Sequence, residues 1–114
     1  MTKTNPLISI CMPSYNQADF IREAIDSALN QTYQNIELII LDSKSSDGSV
    51  EIIKSYNDPR IRFYPNNENE GCYGNCNKLI SLAKGEFIAF LHTDDFYAPT
   101  FLEEIVNAYR ENPD

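Results

Sequence analysis

The sequence has no tryptophan, one histidine, three cysteines and four glycines, and only nine lysines and arginines against seventeen aspartates and glutamates in 114 residues. A formal net charge of −8 excludes a nucleic-acid binder that grips phosphates through a basic stripe. It excludes a basic helix lying on a membrane surface as well. An odd number of cysteines makes no disulfide framework. Cys11 lies inside an apolar run and reads as a small buried hydrophobe. Cys72 and Cys76, four apart, fall two ligands short of a structural zinc site, and His92 is the only histidine. No apolar run approaches the roughly 18 residues of a membrane-spanning helix. Leu7–Met12, closed by Pro13, is too short for the core of a signal peptide, so a cytoplasmic location is expected. What is present is an apolar fraction of 42% with six phenylalanines and seven tyrosines, enough for a globular core. The length fits one domain over 1–114.

The apolar residues switch between two periods along the chain. Leu7–Met12, Ile36–Leu41, Ile61–Tyr64 and Phe87–Leu91 are short β-type runs. Between them, Ile21, Ala24, Ile25, Ala28 and Leu29 recur at helical spacing from Asp19 to about Gln31, with Asp19 placed to cap. Ser45-Ser46-Asp47 offers capping oxygens to a short helix carrying Val50, Ile52 and Ile53. A third helix, starting near Gly71 or Cys72, carries Leu79, Ile80 and Ala83 and stops at Lys84-Gly85. A fourth, from Pro99 to Arg110, carries Phe101, Leu102, Ile105, Val106 and Tyr109. Pro65–Glu70, rich in asparagine, reads as a loop. The order β-α-β-α-β-α-β-α predicts an α/β fold with a doubly wound, mainly parallel sheet.

Ligands of such sheets bind outside the carboxyl ends of the strands. There the sequence places Pro13-Ser14-Tyr15-Asn16, then Asp42-Ser43-Lys44-Ser45-Ser46-Asp47-Gly48, then His92-Thr93-Asp94-Asp95. Asp94 and Asp95 suit a divalent cation, which takes oxygen ligands and often binds through one or two carboxylates plus substrate phosphates; equally, either caps the following helix. Tyr15 suits stacking on a ring or simple packing. Asp42 suits a hydrogen bond to a base or sugar, or the capping of its own turn. Lys44 in a serine-rich loop reads as solvated, or as touching a phosphate. His92 reads as a hydrogen-bonded strand-end residue.

In register along the chain, several segments resemble the family 2 glycosyltransferases. They are Pro13-Ser14-Tyr15-Asn16, Ala24–Tyr33, Glu37–Asp42, Ser45–Ser49, Asp58–Ile61, Asn69-Glu70-Gly71, Ala83–Leu91 and Asp94-Asp95. The resemblance covers essentially the whole chain from Leu7 onward. It implies the Rossmann-like GT-A fold, a nucleotide-diphosphate sugar (a UDP-sugar favoured) lying across the carboxyl rim, and a divalent cation, Mg²⁺ or Mn²⁺. By the same resemblance Pro13, Tyr15 and Asp42 match positions that contact the base, and Gly71 and Asn77 match a segment beside the nucleotide. Asp94 matches the acid near ribose and metal, with Asp95 beside it as a candidate ligand. Three positions depart from the family pattern. Ser43 stands where a second acid is common, His92 stands where another acid is common, and Cys76 stands where arginine is frequent.

Members of this family continue into an acceptor-binding half, where the resemblance places the general base of an inverting displacement. The chain therefore reads as the nucleotide-sugar-binding half of a transferase in polysaccharide biosynthesis, with no catalytic base of its own and no activity alone. A longer parent is expected to be cytoplasmic or peripheral at the inner face of the membrane, without a span. In the family's strand order, an edge carrying Phe87, Ile88 and Phe90 is left open, which predicts a homodimer or larger species. A non-catalytic nucleotide- or carbohydrate-binding module is the alternative. A phosphoacceptor signalling domain would need an acid pair after the first strand, where Pro13-Ser14-Tyr15-Asn16 stands.

Overall fold

The aliphatic runs form strands at the centre of the molecule. The computed structural model describes residues 5–66 and 71–111, with backbone only at 71–73. In chain order the elements are β1 (Ile8–Ser14), α1 (Ile21–Leu29), β2 (Ile36–Asp42), α2 (Ser49–Lys54), β3 (Ile61–Pro65), α3 (Gly71–Leu82), β4 (Phe87–Phe90) and α4 (Phe101–Glu111). All pairings are parallel, in the order β3-β2-β1-β4. This is the predicted doubly wound α/β sheet. Its order reverses between β1 and β4, and that reversal makes the crevice at the carboxyl rim beside β1.

Helices cover both faces. Ile8, Ile10 and Met12 of β1 pack with Ile21, Ala24, Ile25 and Ala28 of α1, Ile53 of α2 and Leu102 and Val106 of α4. On the opposite face Cys11, Ile39 and Leu41 meet Leu79 of α3. Burial raises the Cys11 thiol to about 11, with the Glu37 carboxylate adding to the rise, so it stays a neutral packing group.

Several expected boundaries move, each for a local reason. Pro13 does not end the first strand: β1 runs on to Ser14, register partner of Asp42. The Cys11 carbonyl points towards β4, where it accepts the Leu91 amide at 3.0 Å. By alternation the amide missing at Pro13 would point the same way. β4 pairing with β1 has already ended at Cys11↔Phe90, so no ladder bond is lost. Asp19 does not cap α1; Phe20 occupies the cap position and no side chain bonds there. α4 starts at Phe101 rather than Pro99, and the Pro99 carbonyl accepts the Thr32 amide at 2.9 Å. The asparagine-rich stretch 67–70 lies outside the described residues, while Pro65 closes β3.

At the amino end of the sheet a buried carboxylate ties α3 down. Glu37 accepts Ser9 Oγ at 2.5 Å, the Lys84 amide at 2.7 Å and Arg62 Nη1 at 2.8 Å. The Gly85 amide donates to Ser9 Oγ at 2.8 Å. A Cβ on Gly85 would lie 2.7 Å from the Leu7 carbonyl oxygen and 2.7 Å from the Ser9 amide nitrogen, so glycine is required by the closeness of β1.

With β3 at the other side of the sheet, β4 is one of the two edge strands. Its Phe87 packs on Tyr109 with ring centroids 4.8 Å apart, whereas Ile88 and Phe90 are exposed. The Phe87 and Leu91 amides face β1, so those of Ile88 and Phe90 face outward. The Phe90 carbonyl is taken by the Tyr97 hydroxyl. Among the described residues no helix is long and apolar enough to cross a membrane.

Candidate functional site

The ends of β1 and β2 are bonded to each other before any ligand is considered. Ser14 Oγ donates to Asp42 Oδ1 at 2.9 Å. Ser45 closes the turn after β2, its Oγ donating to Asp42 Oδ1 at 2.6 Å and its amide to Oδ2 at 2.8 Å. Asp42 is 1% exposed, so of its two sequence readings the capping of its own turn is plainly present. The loops are then stitched outward in steps. The Asn16 amide donates to Ser45 Oγ at 2.8 Å, and Asn16 Oδ1 accepts the Ser46 amide at 2.8 Å. The Ala18 amide donates to Asp47 Oδ2 at 2.9 Å. Asp47 Oδ1 takes the Ser49 amide and hydroxyl at the start of α2, although the cap position itself falls on Gly48 rather than on Ser45, Ser46 or Asp47. Those bonds, that from the Ser49 hydroxyl first, hold the Asp47 carboxyl below its ordinary range.

Both loops turn through left-handed backbone, Asn16 at φ 49° and Lys44 at φ 60°. Asparagine tolerates this conformation; lysine adopts it rarely. From the ledge so formed Tyr15 projects half-exposed, at 51%. Pro13 beside it is partly buried.

Behind the ledge a chain of amides holds α3. Asn75 Nδ2 donates to Ser43 Oγ at 2.6 Å, Asn66 Nδ2 to Asn75 Oδ1 at 3.3 Å, and Lys78 Nζ to Asn66 Oδ1 at 3.3 Å. The Asn66 amide donates to the Asp42 carbonyl at 2.8 Å. Ser43, at the position where an acid was expected, is fully buried and is a partner of Asn75. Asn77 is exposed on α3, and Gly71 is the first residue of that helix.

The third loop follows β4. Thr93 is buried while His92, Asp94 and Asp95 are exposed, and the Asp95 amide bonds the His92 carbonyl at 3.0 Å. Asp95 Oδ1 accepts the Phe96 amide at 2.8 Å. Neither carboxylate caps α4, whose first turn begins six residues later. Among the described residues no three His, Cys, Asp or Glu side chains gather into a ready-made metal cluster. Two adjacent exposed carboxylates nonetheless fit a hard cation that draws its remaining ligands from a substrate and water.

The sheet thus brings Tyr15, Asp42 and the acid pair to one rim, at the ends of β1, β2 and β4 in that order. Sequence reasoning did not single out Ser14, Asn16, Ser45 (read only as a cap for α2) or Asn75. The first three were signalled by polar residues aligned at the ends of adjacent strands. Asn75 was signalled by its place one turn before the buried Leu79, on the same helix face.

A parallel α/β sheet whose strand order reverses beside a polar rim defines a doubly wound ligand-binding protein. Sequence comparison narrows this: the chain belongs to glycosyl transferase family 2, whose model matches residues 9–114. An uncharacterised glycosyltransferase of Rickettsia typhi is 46% identical over 90% of this chain and 32% of its own length. The Escherichia coli UDP-Glc:alpha-D-GlcNAc-diphosphoundecaprenol beta-1,3-glucosyltransferase WfaP is 44% identical over 82% of this chain and 38% of its own. Among solved structures, Staphylococcus aureus TarS 1–349 in complex with UDP-GlcNAc superposes with a TM-score of 0.88 at 24% identity, covering 93% of this chain and 32% of that one. The fold is accordingly of the Rossmann-like GT-A type. The chain spans between 15% and 44% of the length of the curated relatives it matches.

Proposed function

We propose that this chain binds the donor, a nucleotide-diphosphate sugar with UDP favoured, within an inverting glycosyltransferase of polysaccharide biosynthesis. The observation that carries the reading is that exposed Tyr15 and exposed Asp94 and Asp95 follow the neighbouring strands β1 and β4, where the strand order reverses. Tyr15 offers a ring face to the base, with Pro13 beside it. Asp42 holds the turn that presents them. Gly71 and Asn77, at the start and on the exposed side of α3, flank the nucleotide. Asp94 and Asp95 would hold a Mg²⁺ or Mn²⁺ ion, which when bound supplies the positive charge that a diphosphate needs on this acidic rim. The identity of relatives named as UDP-glucose-dependent transferases supports the choice of nucleotide.

Sugar transfer itself requires an acceptor site and a general base, and we place both in further polypeptide of the kind the longer relatives carry. A longer parent sits at the inner face of the membrane, a placement supported by the relatives named for an undecaprenol-diphosphate-linked acceptor. Alone, the chain pairs with a second copy through the outward amides and exposed Ile88 and Phe90 of β4, since identical open edges pair about a twofold axis.

Calorimetric titration of the 114-residue chain with UDP, with and without Mn²⁺, tests the central reading. Binding that requires Mn²⁺ and disappears in Asp94→Ala is expected. Absence of UDP binding under both conditions overturns it, and points to the non-catalytic module. Sugar transfer by the chain alone would overturn the second part, and a monomer in sedimentation at high concentration the third.

A further inference from the structure

Lys44 is held in a conformation that a lysine rarely adopts, at φ 60°, at the apex of a turn anchored on both sides. Before it, the Ser43 amide donates to the Ser14 carbonyl at 2.8 Å and Ser43 Oγ accepts Asn75. After it, the Ser45 amide and hydroxyl both bond Asp42. Among the described residues Lys44 makes no hydrogen bond or ion pair that would account for its place in the fold, and its side chain is exposed. It is also the only lysine or arginine in the loops after β1, β2 and β4, residues 15–20, 43–48 and 91–100, which otherwise carry Asp19, Asp47, Asp94 and Asp95. Strained backbone that persists where nothing in the fold needs the side chain marks a functional position.

The position says which part of a nucleotide it would meet. Lys44 follows β2, and the acid pair follows β4, with β1 between them. Two inter-strand spacings, about 10 Å, separate their rims, and Tyr15 projects from the strand between. A diphosphate held at Asp94 and Asp95 therefore directs its base towards β2. Resting on the donor-binding reading above, we propose that Lys44 is a specificity-determining residue whose ammonium donates a hydrogen bond to a carbonyl oxygen on the base. An ammonium donates and never accepts. It selects uracil, which presents a carbonyl at the ring position where cytosine presents an amine.

The test is a titration of the chain and its Lys44→Gly and Lys44→Gln variants with UDP and CDP in Mn²⁺, alongside thermal unfolding. The unmodified chain is expected to prefer UDP. Lys44→Gly is expected to lose about tenfold in UDP affinity, the size of one charged hydrogen bond, with CDP affinity unchanged. Its melting temperature should be unchanged or raised, because glycine accepts the left-handed backbone freely. Lys44→Gln, which keeps a donor, should recover part of the UDP preference. Equal losses for UDP and CDP would mean a contact with a group common to both, a phosphate or the C2 carbonyl, and overturn the proposal, as would unaltered UDP binding in Lys44→Gly. If the unmodified chain binds neither nucleotide, the donor-binding reading fails and takes this one with it; if it binds both and Lys44→Gly changes nothing, this one fails alone.

Discussion

Ser14 and Asp42, the last residues of two neighbouring strands, are register partners and hydrogen-bonded to each other through their side chains at 2.9 Å. The buried Asp42 carboxylate is also the acceptor for both donors of Ser45. Removing it strands three donors at once. Asp42→Ala is expected to destabilise the chain by about 2–4 kcal/mol, and Ser14→Ala by about 1 kcal/mol. Urea unfolding measures both; equal, small effects would mean that the ledge is not held through Asp42.

Tyr15 has the opposite balance, being half-exposed on a rigid support. Tyr15→Ala should change stability by less than about 0.5 kcal/mol and weaken UDP binding about tenfold, the order of one lost stacking contact. Tyr15→Phe should keep most of the affinity. Paired unfolding and titration curves separate the two effects.

Glu37 governs acid stability at the other end of the sheet. Burial pushes its carboxyl up, but the bonds from Ser9, the Lys84 amide and Arg62 outweigh this and leave it below the ordinary glutamate range. A carboxyl lowered by folding stabilises the fold above its unfolded value, about 4.3, and that contribution disappears as pH falls through the folded value. Glu37→Gln is expected to cost about 2 kcal/mol at pH 7. The difference from the unmodified chain should shrink below about pH 4, as urea midpoints measured from pH 7 to pH 3 would show.

Gly85 is placed where β1 passes too close for any side chain. Gly85→Ala must push against the Leu7 carbonyl and the Ser9 amide, which are backbone and cannot swing aside. A loss of about 2–3 kcal/mol is expected, read as a lowered melting temperature. An unchanged melting temperature would show that the chain reverses differently after α3.

The fold was legible because its signals are local. The aliphatic runs of β1 and β2 and the stripe Ile21, Ala24, Ile25, Ala28 each reported their own element, and alternation of the two periods gave the parallel sheet. The errors fell where a neighbouring strand decides. Pro13 reads as a stop until one knows that β4 pairing ends before it, and Asp19 reads as a cap until Asp47 is found bonding the Ala18 amide from another loop. At the rim, Asp94 and Asp95 announced themselves as an adjacent acid pair. The partnership of Asn75 with Ser43 joins residues 32 positions apart, and the strain at Lys44 is a backbone angle that no composition reveals.

The stitched ledge divides the rim into halves of different mechanical character. On the β1–β2 side, Ser14, Asn16 and Ala18 are each tied to a partner across the gap, so the ordering entropy of those loops is spent when the chain folds. On the β4 side, the Asp94 and Asp95 carboxylates stand exposed and, among the described residues, without such ties to the neighbouring loops. A ligand arriving at this rim meets a preformed socket at one end and an adjustable clasp at the other. On the proposed reading, the base would seat as into a mould, and the remaining freedom would be kept for the end of the donor where the bond is broken.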